Sequence, residues 1–484
     1  MKTSQPFPTA RQRPLGKLAL AVAMSFASSL AGAATLSVTT AADADVDDAD
    51  CSLREAIVAA NSDAAYHGCP AGSGADLIVF SLPLPATIAL ASDLPTIVST
   101  LAIHGPGAGQ LAIDGQDLHQ ILVLDSPGGG EWLGVTELSL TRGLAAIYGG
   151  GAYVESGETA YFRRVRFDLN RATSGGGGLA VDADDGEPTV VGVDECWFSG
   201  NVALGSPGGG GILATDAGTQ LYVDRTTLSA NRADHSNGSA GGAHINRAWA
   251  RFTRSTISGN FANHSGGGLR LSASTNTATL ELIDSTVYGN QAEANGDTIG
   301  DGGGLHTSVS AGQTATLLLA NSILAGNLDS GLLSHPDVSV FSGIALVSQG
   351  FNLIGSNEGG STFFVAGLPN GDGDWIGTVT TPIDPLLDAL ADQGGFAPTH
   401  QPTANPATPL IDKGFCTGSG GDQRGYGDAA AHVRIVDTAA PNGAGSDGCD
   451  IGAFERAGNP EAEPDLFADD FESGHLLYWG ASTT

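Results

Sequence analysis

Between Leu133 and Gly331 apolar and polar residues alternate in short runs, and the runs recur. Each ends on the same phrase: Phe167-Asp168-Leu169-Asn170, Phe198-Ser199-Gly200-Asn201, Leu228-Ser229-Ala230-Asn231, Ile257-Ser258-Gly259-Asn260, Val287-Tyr288-Gly289-Asn290 and Leu324-Ala325-Gly326-Asn327. Successive asparagines lie 31, 30, 29, 30 and 37 residues apart. With the units aligned on them, the position ten before is apolar (Ala160, Val191, Leu221, Ala250, Leu280, Leu317), and so is the position eight before (Phe162, Val193, Val223, Phe252, Leu282, Leu319). The residue between them is unrestricted: Tyr161, Gly192, Tyr222, Arg251, Glu281, Leu318. A period of two predicts strands and not helices. The residue three before each asparagine forms a third apolar column, and glycine clusters ending at Gly151, Gly178, Gly211, Gly242, Gly268 and Gly304 each open a further alternating run.

One unit of about thirty residues has no partner for its apolar side, and stacking like units supplies one. Like strands then pair in parallel about 4.8 Å apart and their inward side chains form continuous rows. With no 3.6-residue period inside the repeat, the expected fold is an all-β, right-handed parallel β-helix. The asparagines are expected to occupy turns, take up the left-handed backbone region and bond one another from coil to coil. The glycines suit bends that need positive φ or close backbone approach. Five before the asparagine stand Val165, Cys196, Thr226, Ser255, Ser285 and Ser322, where Cys196 reads as a buried stand-in for serine. Six before stand Arg164, Glu195, Arg225, Arg254, Asp284 and Asn321, preceded by Glu137, and their largely alternating signs predict a ladder of exposed ion pairs.

The ends of the chain differ. Met1 to Ala33 has a basic start, an apolar stretch from Leu18 to Leu30 and a small-residue Ala31-Gly32-Ala33 site, the pattern of a secretory signal; no later run is long and apolar enough for a membrane-spanning helix. Ser52-Leu53-Arg54-Glu55 is a capping box that predicts a short amphipathic helix from Ser52 to about Ala64. The expected organisation is a signal peptide (1–33), an N-terminal cap with this helix (34–110), the β-helix repeats (111–350), the end and cap of the stack (351–456), and a linker with a tail (457–484). Export makes disulfides feasible, and Cys51 with Cys69 and Cys416 with Cys449 are the local pairs.

Charge narrows the partners. The chain carries 20 basic and 52 acidic residues; losing the signal's four basic residues leaves a net charge of −36, with Lys413 the last lysine. Such acidity disfavours nucleic acid, anionic lipid and pectin-like polymers, and favours solubility and Ca²⁺ as a cofactor.

Cys51-Ser52-Leu53-Arg54-Glu55-Ala56-Ile57, with Ala60-Asn61 after it, resembles the CSLREA motif near the N-terminus of exported bacterial β-helix proteins. The glycine-rich strands with Phe-x-x-Asn turns are similar to repeats of polymorphic outer-membrane proteins and autotransporter passengers. Asn352-Leu353-Ile354-Gly355, Ala391-Asp392-Gln393-Gly394-Gly395, Asp422-Gln423-Arg424-Gly425 and Cys449-Asp450-Ile451-Gly452-Ala453-Phe454-Glu455 resemble the choice-of-anchor Q type of domain. The resemblance implies a protein secreted from, or displayed on the outer membrane of, a Gram-negative bacterium, usually without an assigned reaction. It departs from autotransporters in having 29 residues after Glu455, too few for a barrel of at least roughly eight strands.

Candidate chemistry is sparse. The outward column after the glycines reads Tyr153, Ala180, Leu213, His244, Arg270 and His306. Its His244, Arg270 and His306, with Tyr153 further along, form a polar strip that is a candidate ligand-binding surface, weighed against a plain solvated strand face. Asp182, Asp184, Asp185 and Glu187 crowd one loop and Asp372 and Asp374 another; both are candidate Ca²⁺ loops or ordinary acidic turns. Asp43, Asp45, Asp47, Asp48 and Asp50 either complement the helix dipole or form a third. The leading reading is a non-catalytic, adhesin-like scaffold binding an extracellular polysaccharide or a neighbouring cell surface. A polysaccharide lyase or glycoside hydrolase of the β-helix type is the alternative, and it requires paired acids or Ca²⁺ with a base.

Overall fold

The computed structural model describes residues 34–183, 187–296, 300–331, 334–403, 408–415, 421–425, 442–443 and 445–456. The expected signal (1–33), Asp184, Asp185, Cys416 and the tail (457–484) lie outside the described residues. Strands stack in parallel into a β-helix of about 8 turns with one helix, α1 (Leu53–Ser62). The coil around Asn231 shows the plan. Ile212–Thr215 joins an 8-stranded sheet, Gln220–Asp224 and Thr227–Ser229 join a 20-stranded sheet, and Arg232–Ala233 joins a 7-stranded one. Register follows the sequence columns: Phe162 faces Val193, Val193 faces Val223, Val223 faces Phe252, and Phe252 faces Leu282. All five are essentially inaccessible to solvent. The stack begins before the clear repeats, with Thr35–Val38 on Asp76–Phe80, which pairs with Leu101–His104 and then with Trp132–Thr141.

The asparagines form an internal ladder. Each side-chain amide donates to the next Oδ1: Asn170 to Asn201 (3.0 Å), Asn201 to Asn231 (2.8 Å), Asn231 to Asn260 (2.9 Å), Asn260 to Asn290 (2.8 Å) and Asn290 to Asn327 (2.9 Å). Asp337 terminates it by accepting from Asn327. The asparagines do not themselves take the left-handed conformation; the residues before them do, from Leu169 (φ 57°) to Gly326 (φ 65°), which turns each amide inward. Gly178 shows why the glycine cluster is needed: a Cβ there would lie 2.9 Å from the Phe198 ring and 3.2 Å from the Asn201 side chain.

A second ladder runs through the hydroxyl column. The amides of Cys196, Thr226, Ser255 and Ser285 donate to the side chains of Thr226, Ser255, Ser285 and Ser322, and Ser322 donates to Asn352. The residue just before each position of this column, Val165 included, is left-handed: Arg164, Glu195, Arg225, Arg254, Asp284 and Asn321 have φ between 46° and 53°. Such residues cost roughly 1–2 kcal/mol each, and the hydroxyl ladder they aim offsets that cost. The ion ladder differs from expectation in burial and membership. Arg164 pairs with Glu137 and Arg225 with Glu195, but Arg225 also grips Asp194 and Arg254 grips Asp224, one residue earlier in the repeat. The Arg225 side chain is only 9% exposed.

What covers that ladder is the C-terminal segment, which folds back along the outside of the 20-stranded sheet. Thr227 donates to Pro398 O, Thr256 bonds Thr399 and Gln423, Ser258 bonds His400, and Ala453 N donates to Thr286. Arg254 reaches Gly421 O. Leu410 and Ile451 pack with Ile323, Ala325 and Leu353 as a second apolar core outside the coil. The Asp422-Gln423-Arg424 and Cys449–Glu455 motifs hold each other: Arg424 pairs with Asp422, stacks on Phe454 and donates to Glu455 O.

At the other end α1 closes the stack. Its capping box forms as expected, and the helix stops at Ser62, two residues short of the expected end, with Asp63 left-handed after it. Arg54 clamps Asp43 with two bonds and donates to the Ser92 and Asp93 carbonyls, while Asn61 bonds Thr96 and Val98. Cys51 and Cys69 are disulfide-bonded. Cys449 is also disulfide-bonded, and Cys196 is free and buried.

Candidate functional site

The outward rows of the strand equivalent to Gln220–Asp224 in each coil carry half-buried aromatic and charged side chains. One row runs Gly134, Tyr161, Gly192, Tyr222, Arg251, Glu281 in strict register; the row two residues earlier includes Trp132, Gln220, Trp249 and Thr279. The Trp132 ring lies over Gly134 and the Tyr161 ring over Gly192, each filling space that a Cβ would take. Further along, Tyr222 and Trp249 lie 4.7 Å apart between ring centroids, tilted by 57°. The result is a line of half-buried aromatic rings along the rod axis.

Around Tyr222 and Trp249 the surface deepens into a cleft of about 470 Å³, walled also by Gln220, Arg247, Arg251 and Glu281, a volume within the usual range for small-ligand sites. The polar groups are held fixed. Glu281 accepts from Trp249 Nε1 (3.1 Å) and pairs with Arg251 (2.6 Å), whose guanidinium lies 5.4 Å from the Trp249 ring. Arg247 pairs with Asp216. Flat apolar faces beside preset donors and acceptors match a sugar ring, with its C–H faces and equatorial hydroxyls.

Comparison of the chain with known protein families and with curated proteins returns no match.

The strip expected to face a ligand is assembled, with its two histidines covered and Tyr153 and Arg270 half-buried. Tyr153, Ala180, Leu213, His244, Arg270 and His306 follow one another in register, with Tyr153 three coils from His244. His244 and His306 are buried. His244 bonds Pro207 O (3.0 Å) and Ser272 (2.9 Å), and burial followed by the neighbouring Arg270 pushes its pKa down to about 3, so it is neutral. Burial likewise holds His306 well below the usual range, beside the Phe341 ring. Burial also brings Arg270 down to about 10, and Ser239 accepts from it.

The acidic loops have internal duties. Asp374 is buried; its Oδ1 accepts from the Asn352 amide and side chain and its Oδ2 from Ser348, so it ends the hydroxyl ladder as Asp337 ends the asparagine ladder. Burial holds its carboxyl above the ordinary range. Asp372 is exposed, its amide bonded to Asn370. Asp182 lies at a strand end, its carbonyl accepting from Thr189. Asp43 is taken by Arg54. Asp45, Glu55 and His67 converge, but Glu55 already accepts from the Val46 and Ser52 amides.

The column containing Tyr222, Arg251 and Glu281 was legible as outward. Its mixed composition gives no repeated ring; Trp132 and Trp249, two residues earlier at outward strand positions, are the signal for the aromatic line.

Proposed function

We propose that this protein is an exported, non-catalytic β-helix scaffold that binds a neutral polysaccharide along its aromatic outer face, centred on Tyr222 and Trp249. The observation that carries the reading is the aromatic cleft itself: stacked coils repeat the ring positions along the rod, as an extended glycan chain repeats its sugars. The net charge opposes polyanionic glycans, which makes a neutral chain the better match. Export is supported by the pattern of Met1 to Ala33 and by the Cys51–Cys69 disulfide, which persists in oxidising compartments. The likeness of both end motifs to exported bacterial β-helix proteins points the same way.

Hydrolysis by the usual acid pair needs two carboxyls roughly 5–10 Å apart around the scissile bond. In the cleft lining Glu281 is the one carboxylate, and it is occupied by Arg251 and Trp249. The paired acids Asp194 and Asp224 sit in register on adjacent coils, but each is clamped by an arginine. A screen of neutral and acidic polysaccharides, scoring binding by affinity gel electrophoresis and cleavage by viscosity, tests the proposal. Binding of a neutral polymer at constant viscosity is the expected result. Loss of viscosity would replace the scaffold reading with the hydrolase or lyase one.

A further inference from the structure

Near the last coils the repeat breaks at two positions at once. Asp329 stands in the inward column that otherwise reads Ala172, Ala203, Ala233, Ala262 and Ala292. Asp301 stands three before Gly304, where earlier units have Tyr148, Gly175, Gly208, Ser239 and Ser265. At both positions every earlier unit does without a carboxylate, and both carboxylates are buried, Asp301 at 8% exposure and Asp329 at 4%. They converge with His335: one ligand atom from each of the three lies within 4.8 Å of the others. Glu293, fully buried, completes the group.

Gly331 borders the group on the side of Asp329 and Glu293. A Cβ built there would lie 3.1 Å from Asp329 Oδ1, 3.3 Å from Glu293 Oε2 and 3.5 Å from Gly300 O, so three oxygens from three segments ring one small volume. The rest of the hydrogen bonding orients the group. Ser339 donates to Asp301 Oδ2 (2.8 Å), and the amides of Gly331 and His335 donate to the two oxygens of Asp329 (2.9 Å each). His335 Nδ1 hydrogen-bonds Asp301 Oδ1. Among the described residues no arginine or lysine forms an ion pair with Asp301 or Asp329. Next to the group His306, nine-tenths buried, has its Nδ1 without a hydrogen-bond partner; its strand neighbour is Ser339. Buried carboxylates are costly unless paired or bound to a cation.

We propose that Asp301, Asp329 and His335, with Glu293 beside them, bind one divalent transition-metal ion of the Zn²⁺ or Mn²⁺ type, which pins the last coils of the stack together. The imidazole selects this class over Ca²⁺, which takes oxygen ligands throughout. The ion displaces the proton held between His335 and Asp301, and that proton leaves to solvent. This site is independent of the glycan cleft.

The test uses the full chain with any affinity tag removed, stripped on chelating resin and equilibrated separately with ZnSO₄, MnCl₂ or CaCl₂ at physiological salt. Metal per chain is then counted after gel filtration, and affinity is measured by titration calorimetry. One Zn²⁺ or Mn²⁺ per chain is expected, with affinity about a hundredfold or more weaker in Asp329→Asn and in His335→Gln. In wild-type protein, Mn²⁺ should selectively broaden the His335 ring resonances, a readout that stands if either variant fails to fold. Absence of stoichiometric metal, unchanged affinity in both variants, binding of Ca²⁺ alone, or broadening spread over the acidic surface without His335 would each overturn the proposal.

Discussion

Asn231→Ala tests the internal ladder where it is most continuous. The side chain makes four hydrogen bonds: Nδ2 donates to Phe198 O (3.1 Å) and Asn260 Oδ1 (2.9 Å), and Oδ1 accepts from the Asn201 amide (3.0 Å) and side chain (2.8 Å). Alanine fits the space but leaves the Asn201 N–H and the Phe198 carbonyl without these partners in a dry interior. A buried group so orphaned costs about 1–3 kcal/mol, so the variant should lose about 3–5 kcal/mol in a network whose members polarise one another. Asn237→Ala, at an exposed position, should cost less than about 0.5 kcal/mol. Because a stack of repeats need not unfold in one step, amide hydrogen exchange is the better assay than a single melting curve. The Asn201 amide should exchange about a hundredfold faster in the variant, while amides in Thr35–Val38 stay unchanged. An Asn201 amide that exchanges at its wild-type rate would show that the ladder is decoration and that the apolar rows alone hold register.

Three other perturbations probe the ends and the strap. Asp337 is pushed up to about 6 by burial, against the bonds from Asn327 and Ser356; its native state therefore favours the proton, so its contribution is present below about pH 4 and fades as pH rises through 6. Asp337→Asn should flatten the wild-type loss of stability over that window, by at most about 3 kcal/mol, in melting temperatures taken at a series of pH values; parallel wild-type and variant curves would rule the effect out. Arg54→Ala removes both bonds to Asp43, whose side chain is 1% exposed, and should cost about 3–5 kcal/mol, seen as faster exchange in α1 and its flanking loops; an unchanged helix would refute the clamp. Gln423→Ala deletes the bonds to Thr227, Thr256 and Thr399; limited proteolysis should then cut within 385–456 sooner while the coils resist, and equal cleavage rates would show that the motif does not hold the strap.

The stack was readable because its cause is local and repeated. Phe162, Val193, Val223, Phe252 and Leu282 announce an inward row by spacing alone, and Asn170 to Asn327 announce a turn. The strap was not readable in that way. Thr227, Thr256 and Thr286 occupy outward positions, where threonine is unremarkable, and their partners Pro398, Gln423 and Ala453 lie more than a hundred residues away with no period linking them. The same long-range cover buried an ion ladder that the alternating signs of Arg164, Glu195 and Arg225 had suggested would be open to water. Left-handed backbone at Arg164 through Asn321 was hidden because residue type gives no warning of it there; the turn forms whether a hydroxyl or, as after Arg164 and Glu195, Val165 or Cys196 follows. His244 and His306 looked outward by parity, as they are, but parity carries no information about the loops at Pro207 and Phe341 that cover them.

The central claim is that a sugar chain rests on Tyr222 and Trp249. Calorimetric titration of the best-bound oligosaccharide into wild-type protein, Trp249→Ala and Arg270→Ala tests it most directly. At least about tenfold weaker binding is expected for Trp249→Ala, a loss of roughly 1.4 kcal/mol or more, and wild-type affinity for Arg270→Ala. Undiminished binding by Trp249→Ala, or loss of binding in Arg270→Ala alone, would contradict it and move recognition to the strip of His244, Arg270 and His306.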